Sequence, residues 1–261
     1  MSGAFIWYEL LADDVAAAAA FYARVVGWRA LDGGLPGPGY RYLSIAGEDV
    51  GGLVALPAQA RAAGARPCWL PYLQAPDLES CVAAIARDGG TVQMPPMTVP
   101  GVGRLAMLAD PQGASFYAMA PEGAGESRSF DRELGGHCGW NELHVPDARA
   151  ALDFHGRHFG WRELGPVDAG DPAAGLRFGL GSAGAPASEP LGAIVGSAVG
   201  VHPHWLCAFN VDDIDAAARR LRSAGGEALP GLRQVADGQW LLPARDPQGA
   251  RFALLGRSWG A

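Results

Sequence analysis

The chain repeats itself. From Phe5 it reads FIWYELLADDVAAAAAFYARVVGWRAL, and from Cys138, 133 positions later, it reads CGWNELHVPDARAALDFHGRHFGWREL. Trp7, Glu9, Leu10, Phe21, Arg24, Gly27 and Trp28 align without a gap on Trp140, Glu142, Leu143, Phe154, Arg157, Gly160 and Trp161. At an offset of 136, CWLPYLQAPDLESCVAAIARDGG from Cys68 aligns with HWLCAFNVDDIDAAARRLRSAGG from His204, and ADPQGASFYAM from Ala109 with RDPQGARFALL from Arg245. A period this long means two copies of a whole domain, since solenoid repeats are several times shorter. Any fold proposed for the chain must therefore be built twice.

Composition limits the partners. The 261 residues suffice for two domains with cores of their own, and the 49% hydrophobic content is that of a globular chain. A formal charge of -7 argues against nucleic acid and against anionic membrane surfaces. Cys68, Cys81, Cys138 and Cys207 have no CxxC spacing and read as reduced packing thiols of a cytoplasmic protein. Met1 to Asp14 has no basic flank and carries Glu9, Asp13 and Asp14, so it does not read as a signal peptide.

A weaker repetition lies inside each copy. Phe5 to Ala12 reads as a strand, Asp14 as the cap of a helix toward Val26, and Gly27 as its left-handed stop, with strands at Trp28 to Leu31, Tyr40 to Ala46 and Val50 to Leu56. The order then recurs. A strand at Trp69 to Gln74 precedes a helix over Leu78 to Arg87 capped by Asp77, and strands follow at Thr91 to Met94, Gly103 to Leu108 and Ser115 to Met119. The second copy repeats this, with helices at Ala148 to Phe159 and Ile214 to Ser223. The fold class is thus α+β, four βαβββ units whose curved mixed sheets pair around clefts. Residues 1–121 form one domain, 122–136 a linker rich in Gly, Glu, Ser and Arg, and 137–261 the second domain. Gly181 to Pro190 reads as a long hairpin loop or a lid.

AAFYARVVGW, LDFHGRHFGW and the two DPQGA turns, in this order of elements, resemble the vicinal oxygen chelate superfamily: glyoxalase I, the bleomycin- and fosfomycin-resistance proteins and the extradiol dioxygenases. That resemblance implies a divalent ion held by His or Glu on the first and last strands of paired units. Its ligand positions fall on Trp7 and Trp140, then on Tyr117 and Ala253, none of which suits a metal, and Cys68 and His204 stand near a further expected His. The expectation is therefore a metal-free member with no cofactor. The alternative is a relocated divalent metal at Glu142, His144 and His204, a set the first copy cannot mirror because Leu11 stands where His144 does.

What the copies share instead is Trp followed two positions later by Glu. Period two places Trp7 with Glu9, and Trp140 with Glu142, on one strand face. At the superfamily's ligand positions that face is the concave one, and an indole beside a carboxylate suits a flat apolar ligand with a donor or positive centre. Glu142, Glu9 and His204 are the candidate catalytic or polar contacts, with Trp7, Trp140, Tyr117 and His144 as cleft walls. Architectural roles compete with each: Glu bonded to backbone or to an arginine such as Arg104 or Arg251, and Trp as a plug. The chain is expected to bind a small organic molecule as a monomer or homodimer. A binding module of the bleomycin-resistance kind and an enzyme (isomerase, lyase, hydroxylase or dioxygenase-like) using Glu142 and His204 both fit. The second copy, with His144 and His204, is the stronger enzyme candidate.

Overall fold

The computed structural model describes residues 3–34, 39–123, 125–168, 171–181, 189–198, 200–235 and 238–258, and for 171–173 the backbone only. The loop expected as a lid falls largely on 182–188, outside the described residues.

The first copy holds β1 (Phe5–Ala12), α1 (Val15–Val25), β2 (Arg29–Asp32), β3 (Arg41–Ile45) and β4 (Glu48–Ala55), then, after the short α2 (Ala58–Ala62), β5 (Cys68–Gln74), α3 (Leu78–Arg87), β6 (Thr91–Val99), β7 (Gly103–Ala109) and β8 (Ser115–Pro121). The second holds β9 (Cys138–Val145), α4 (Ala148–Phe159), β10 (Trp161–Asp168), β11 (Asp171–Leu180) and β12 (Pro190–Gly196), followed by β13 (His204–Asn210), α5 (Ile214–Ser223), β14 (Glu227–Ala228), β15 (Arg233–Gln234), β16 (Trp240–Arg245) and β17 (Arg251–Gly256). The hydrogen-bonded order is β2-β3-β4-β1-β5-β8-β7-β6 in one sheet and β10-β11-β12-β9-β13-β17-β16-β14 in the other. In every unit the first strand runs parallel to the last and the remaining pairs are antiparallel, the βαβββ pattern expected from sequence. The helix α2 and the extension of β6 to Val99 were not expected.

Each long helix starts for the same reason. Asp14, Asp77, Asp147 and Asp213 stand at the N-caps, and each carboxylate accepts the N–H three residues on, a bond contributing about 1 kcal/mol. Apolar residues at helical spacing, such as Ala18, Phe21, Tyr22 and Val25, then give each helix one face to bury.

That burial groups the units across the copies. One compact body comprises residues 1–6, 71–127 and 141–205; the other comprises 7–70, 128–140 and 206–261. Each body therefore takes one βαβββ unit from each copy. In the second body the ring of Phe21 lies where a side chain at Gly226 would sit, and the Arg220 guanidinium of α5 donates to Val25 O at the end of α1. In the first body His158 of α4 stands 3.2 Å from Asp88, which caps α3.

The two DPQG turns join the units within these bodies. In both, Asp accepts the N–H groups two and four residues on, and Gly takes a positive φ, +100° at Gly113 and +97° at Gly249. The glutamine does what sequence reading did not foresee. The Gln248 side chain bonds both backbone groups of Asp14 (2.7 and 2.8 Å), and Gln112 bonds both of Asp147 (2.8 and 2.8 Å). Behind the turns the copies diverge: Tyr22 donates to Asp246 at 3.2 Å, while its counterpart His155 lies 3.6 Å from Asp110, both fully buried. Trp28 and Trp161 are buried core anchors, each donating its indole N–H to a carbonyl, Gly136 O and Gly3 O respectively.

Candidate functional site

Strand alternation decides which face carries the candidates. In the first body Phe178 stacks on Trp161 at 4.1 Å, and His155 of α4 stacks on the same indole, so that side of β11 lies under the helix. Arg177, the neighbour of Phe178, faces the other way. Register extends the assignment: Glu142 pairs with Ala193, and Ala193 with Arg177, forming one row across β9, β12 and β11. Trp69 and Trp205 take the helix side, on Tyr22 and His155 respectively, so strand alternation leaves Cys68 and His204 on the opposite face.

Three of the predicted residues meet in the second copy. His144 Nε2 lies 3.1 Å from Glu142 Oε2. The His144 ring stacks on His204, with centroids 4.9 Å apart and planes 12° from parallel, and His204 Nδ1 lies 2.9 Å from His202 O. Glu142 is fully buried while the His144 side chain keeps 20% of its surface, so a ligand reaches the imidazole first and the carboxylate stands behind it. In the tautomer that donates Nε2–H to Glu142, His144 Nδ1 keeps a lone pair.

The equivalent carboxylate in the first copy has different company. Trp7 Nε1 donates to Tyr40 Oη at 2.9 Å, and the Tyr40 hydroxyl is hydrogen-bonded to Glu9. Tyr42 meets Trp7 edge-on at 5.9 Å. Gly52, beside Glu9 in the parallel register, makes this possible, because a β-carbon there would run into Tyr40 Oη. Burial and the Glu9 charge hold the Tyr40 phenol far above its ordinary range, so it stays a donor. Glu9 is thus engaged by a non-titrating partner, whereas Glu142 is engaged by an imidazole.

The other candidates lie elsewhere. Trp140 is 1% exposed and lines no open surface; it lies in the second body, and Glu142 in the first. Tyr117 stacks on Tyr72 at 4.3 Å in the first body. Arg104, considered as a partner for Glu9, pairs with Glu79. Burial raises the thiols of Cys68 and Cys81 to about 11 and of Cys138 to about 12, which removes them as thiolate nucleophiles near neutral pH. An open groove of about 560 Å³ between α4 and β10, lined by Arg149, Asp153, Arg157 and Glu163, touches none of the predicted residues.

A sequence model of the glyoxalase/bleomycin resistance protein/dioxygenase superfamily matches residues 4–116 and again 136–254. The chain belongs to this superfamily. Among similar members, the glyoxylase-named CFP32 of Mycobacterium tuberculosis is 30% identical over 255 residues, covering 95% of this chain and 93% of its own. The anthracycline biosynthesis protein DnrV of Streptomyces peucetius is 32% identical, covering 97% and 93%. The Mn(II)-bound glyoxalase from Novosphingobium aromaticivorans shares the fold with a TM-score of 0.67 at 18% identity, over 98% of this chain and 82% of that one. The 2,3-dioxygenase LapB from Pseudomonas sp. KL28 does so at 0.64 and 16%, over 99% and 94%.

The superfamily's metal does not fit these residues. Trp7 donates its only polar atom to Tyr40, Trp140 is sealed in the core, and neither Tyr117 nor Ala253 supplies a carboxylate. Nor is the relocated set assembled for a metal: Glu142 and His144 face one another, and among the described residues no three His, Cys, Asp or Glu side chains are grouped to hold an ion. Among the same residues no helix is long and apolar enough to cross a membrane.

Proposed function

We propose that the second copy takes a small, flat organic molecule onto the open face of β9, β11 and β13, where His144, backed by Glu142, exchanges a proton with it and His204 flanks it. The observation that carries this is the contact between Glu142 and His144 at 3.1 Å, with the carboxylate buried and the imidazole reachable. A buried carboxylate orienting an imidazole is the arrangement that makes histidine a general base near neutral pH. The first copy plays the architectural part, its carboxylate taken up by Tyr40. Two relatives named for anthracycline biosynthesis support a polycyclic aromatic ligand.

Calorimetric titration of hydroxyanthraquinones into the wild type, Glu142→Gln and Glu9→Gln tests the assignment. Binding weakened about tenfold or more by Glu142→Gln and unchanged by Glu9→Gln is expected. Equal affinities in all three proteins would remove Glu142 from the site. Sequestration without chemistry is the second reading, favoured by the stacked His144–His204 pair as an aromatic platform; it predicts full binding with no isotope exchange at acidic positions of the ligand.

A further inference from the structure

The first copy shows how this sheet face takes up a phenol, and the second differs from it by one methyl group beside the carboxylate. Glu9 pairs with Gly52 across β1 and β4, and Tyr40 lays its hydroxyl over that glycine: a β-carbon built on Gly52 would collide with Tyr40 Oη and stand 2.6 Å from Tyr40 Cζ. The missing side chain is what lets the phenol reach Glu9. In the second copy Glu142 pairs with Ala193 across β9 and β12 in the same parallel sense. Paired residues point to one face, so the Ala193 methyl stands where the phenol oxygen lies in the first copy.

The position of Tyr40 has changed as well. Tyr40 precedes Arg41, the partner of Leu53, and so falls beside Val54; its equivalent in the second copy is Gly175, whose absent β-carbon would lie 3.2 Å from Val195 Cα. Gly175 has a φ of +139°, and a β-carbon there would also stand 2.5 Å from Ile194 O, so this position admits no side chain. The second copy therefore supplies no phenol of its own at Glu142. His144 escapes the Ala193 methyl because it pairs with Val195, two residues and about 6.6 Å further along the strands. Glu142 and Ala193 are fully buried, whereas the His144 side chain keeps 20% of its surface.

We infer that Ala193 is a positioning residue of this site: its methyl bars a ligand hydroxyl from Glu142 and leaves the hydroxyl only His144 Nδ1 to donate to. This rests on the function proposed above. Glu142 then acts on the ligand through the imidazole alone. A glycine at position 193 would admit the hydroxyl to the carboxylate directly, as Gly52 admits Tyr40 to Glu9.

A double-mutant cycle tests this, with the dihydroxyanthraquinone alizarin titrated into the wild type, His144→Phe, Ala193→Gly and the double variant. His144→Phe keeps a ring for His204 to stack on and removes the acceptor. It is expected to weaken alizarin about tenfold or more in the wild-type background, and less than about threefold in Ala193→Gly, where the hydroxyl reaches Glu142. Equal losses in the two backgrounds would overturn the role of Ala193 and leave the binding function standing. No binding by the wild type, or no loss from His144→Phe in either background, would overturn the function itself. The reverse exchange needs no ligand. Gly52→Ala should push the Tyr40 hydroxyl off Glu9 and shift the NMR signal of the Trp7 indole N–H, which Tyr40 holds at 2.9 Å. An unmoved Trp7 signal in the folded variant would show that a methyl on this row does not bar a phenol, and the inference would fall.

Discussion

On β1 a glutamate meets a tyrosine that is itself bonded to an indole; on β9 the glutamate at the same position of the repeat meets an imidazole stacked on a second imidazole. Two elements with one ancestor thus hold their carboxylates in chemically opposite company. The Tyr40 hydroxyl, pushed upward by burial and by Glu9, stays un-ionised near neutral pH and remains a donor to Glu9. The second network ends in a histidine whose side chain keeps 20% of its surface.

Substitutions test this contrast. The largest effect is expected where β12 meets β9: a β-carbon on Gly192 would collide with the Asn141 carbonyl, a main-chain group that cannot swing aside. Gly192→Ala should cost about 3 kcal/mol or more in urea unfolding. Its counterpart Gly51→Ala should cost less, since that β-carbon would stand 2.9 Å from Tyr8 O. Equal losses would mean that β4 and β12 are seated alike.

Next, Tyr40→Phe removes the hydroxyl shared by Trp7 and Glu9 and should cost about 1–2 kcal/mol, while ligand affinity stays at the wild-type value. A loss of binding would place function in the first copy as well.

The smallest effect is confined to acid. Burial lowers the pKa of His158 against a weaker upward pull from Asp88, and the first copy has Val25 at this position. The folded state therefore takes up the proton less readily than the unfolded chain. Both are neutral well above about 6.5, and stability falls as pH drops through that value until the folded His158 also titrates. His158→Val should narrow the gap in urea midpoints between about pH 7.5 and about pH 5, and an unchanged gap would move the acid sensitivity to other groups.

Much of this was legible in the sequence, and the illegible part has a common cause. Helix limits followed from local chemistry: Asp77 and Gly89 bracket α3, and Asp213 opens α5 where expected, because caps and stops act within a turn. Alternation put Trp7 and Glu9 on one shared face and Glu142 and His144 on another, in agreement with their contacts. Tyr40 escaped notice because it follows the Gly/Pro-rich GLPGPG and its partners stand 31 and 33 residues away. Arg177 sits in an ordinary alternating strand, and only the register with Ala193 shows which row it joins. The Gln112 and Gln248 clasps reach helices of the other copy, so no local pattern announces them. For Trp140 parity gave the side of the strand, whereas its burial depends on the packing around it.

Whether the second copy is the working one, as proposed, is tested in one spectrum by a nitrogen-detected NMR titration with alizarin, a hydroxyanthraquinone. The ring nitrogens of His144 and His204 are expected to shift on addition of ligand while the Trp7 indole N–H, held by Tyr40, stays in place. Movement of the Trp7 signal with the two histidines unchanged would contradict that proposal.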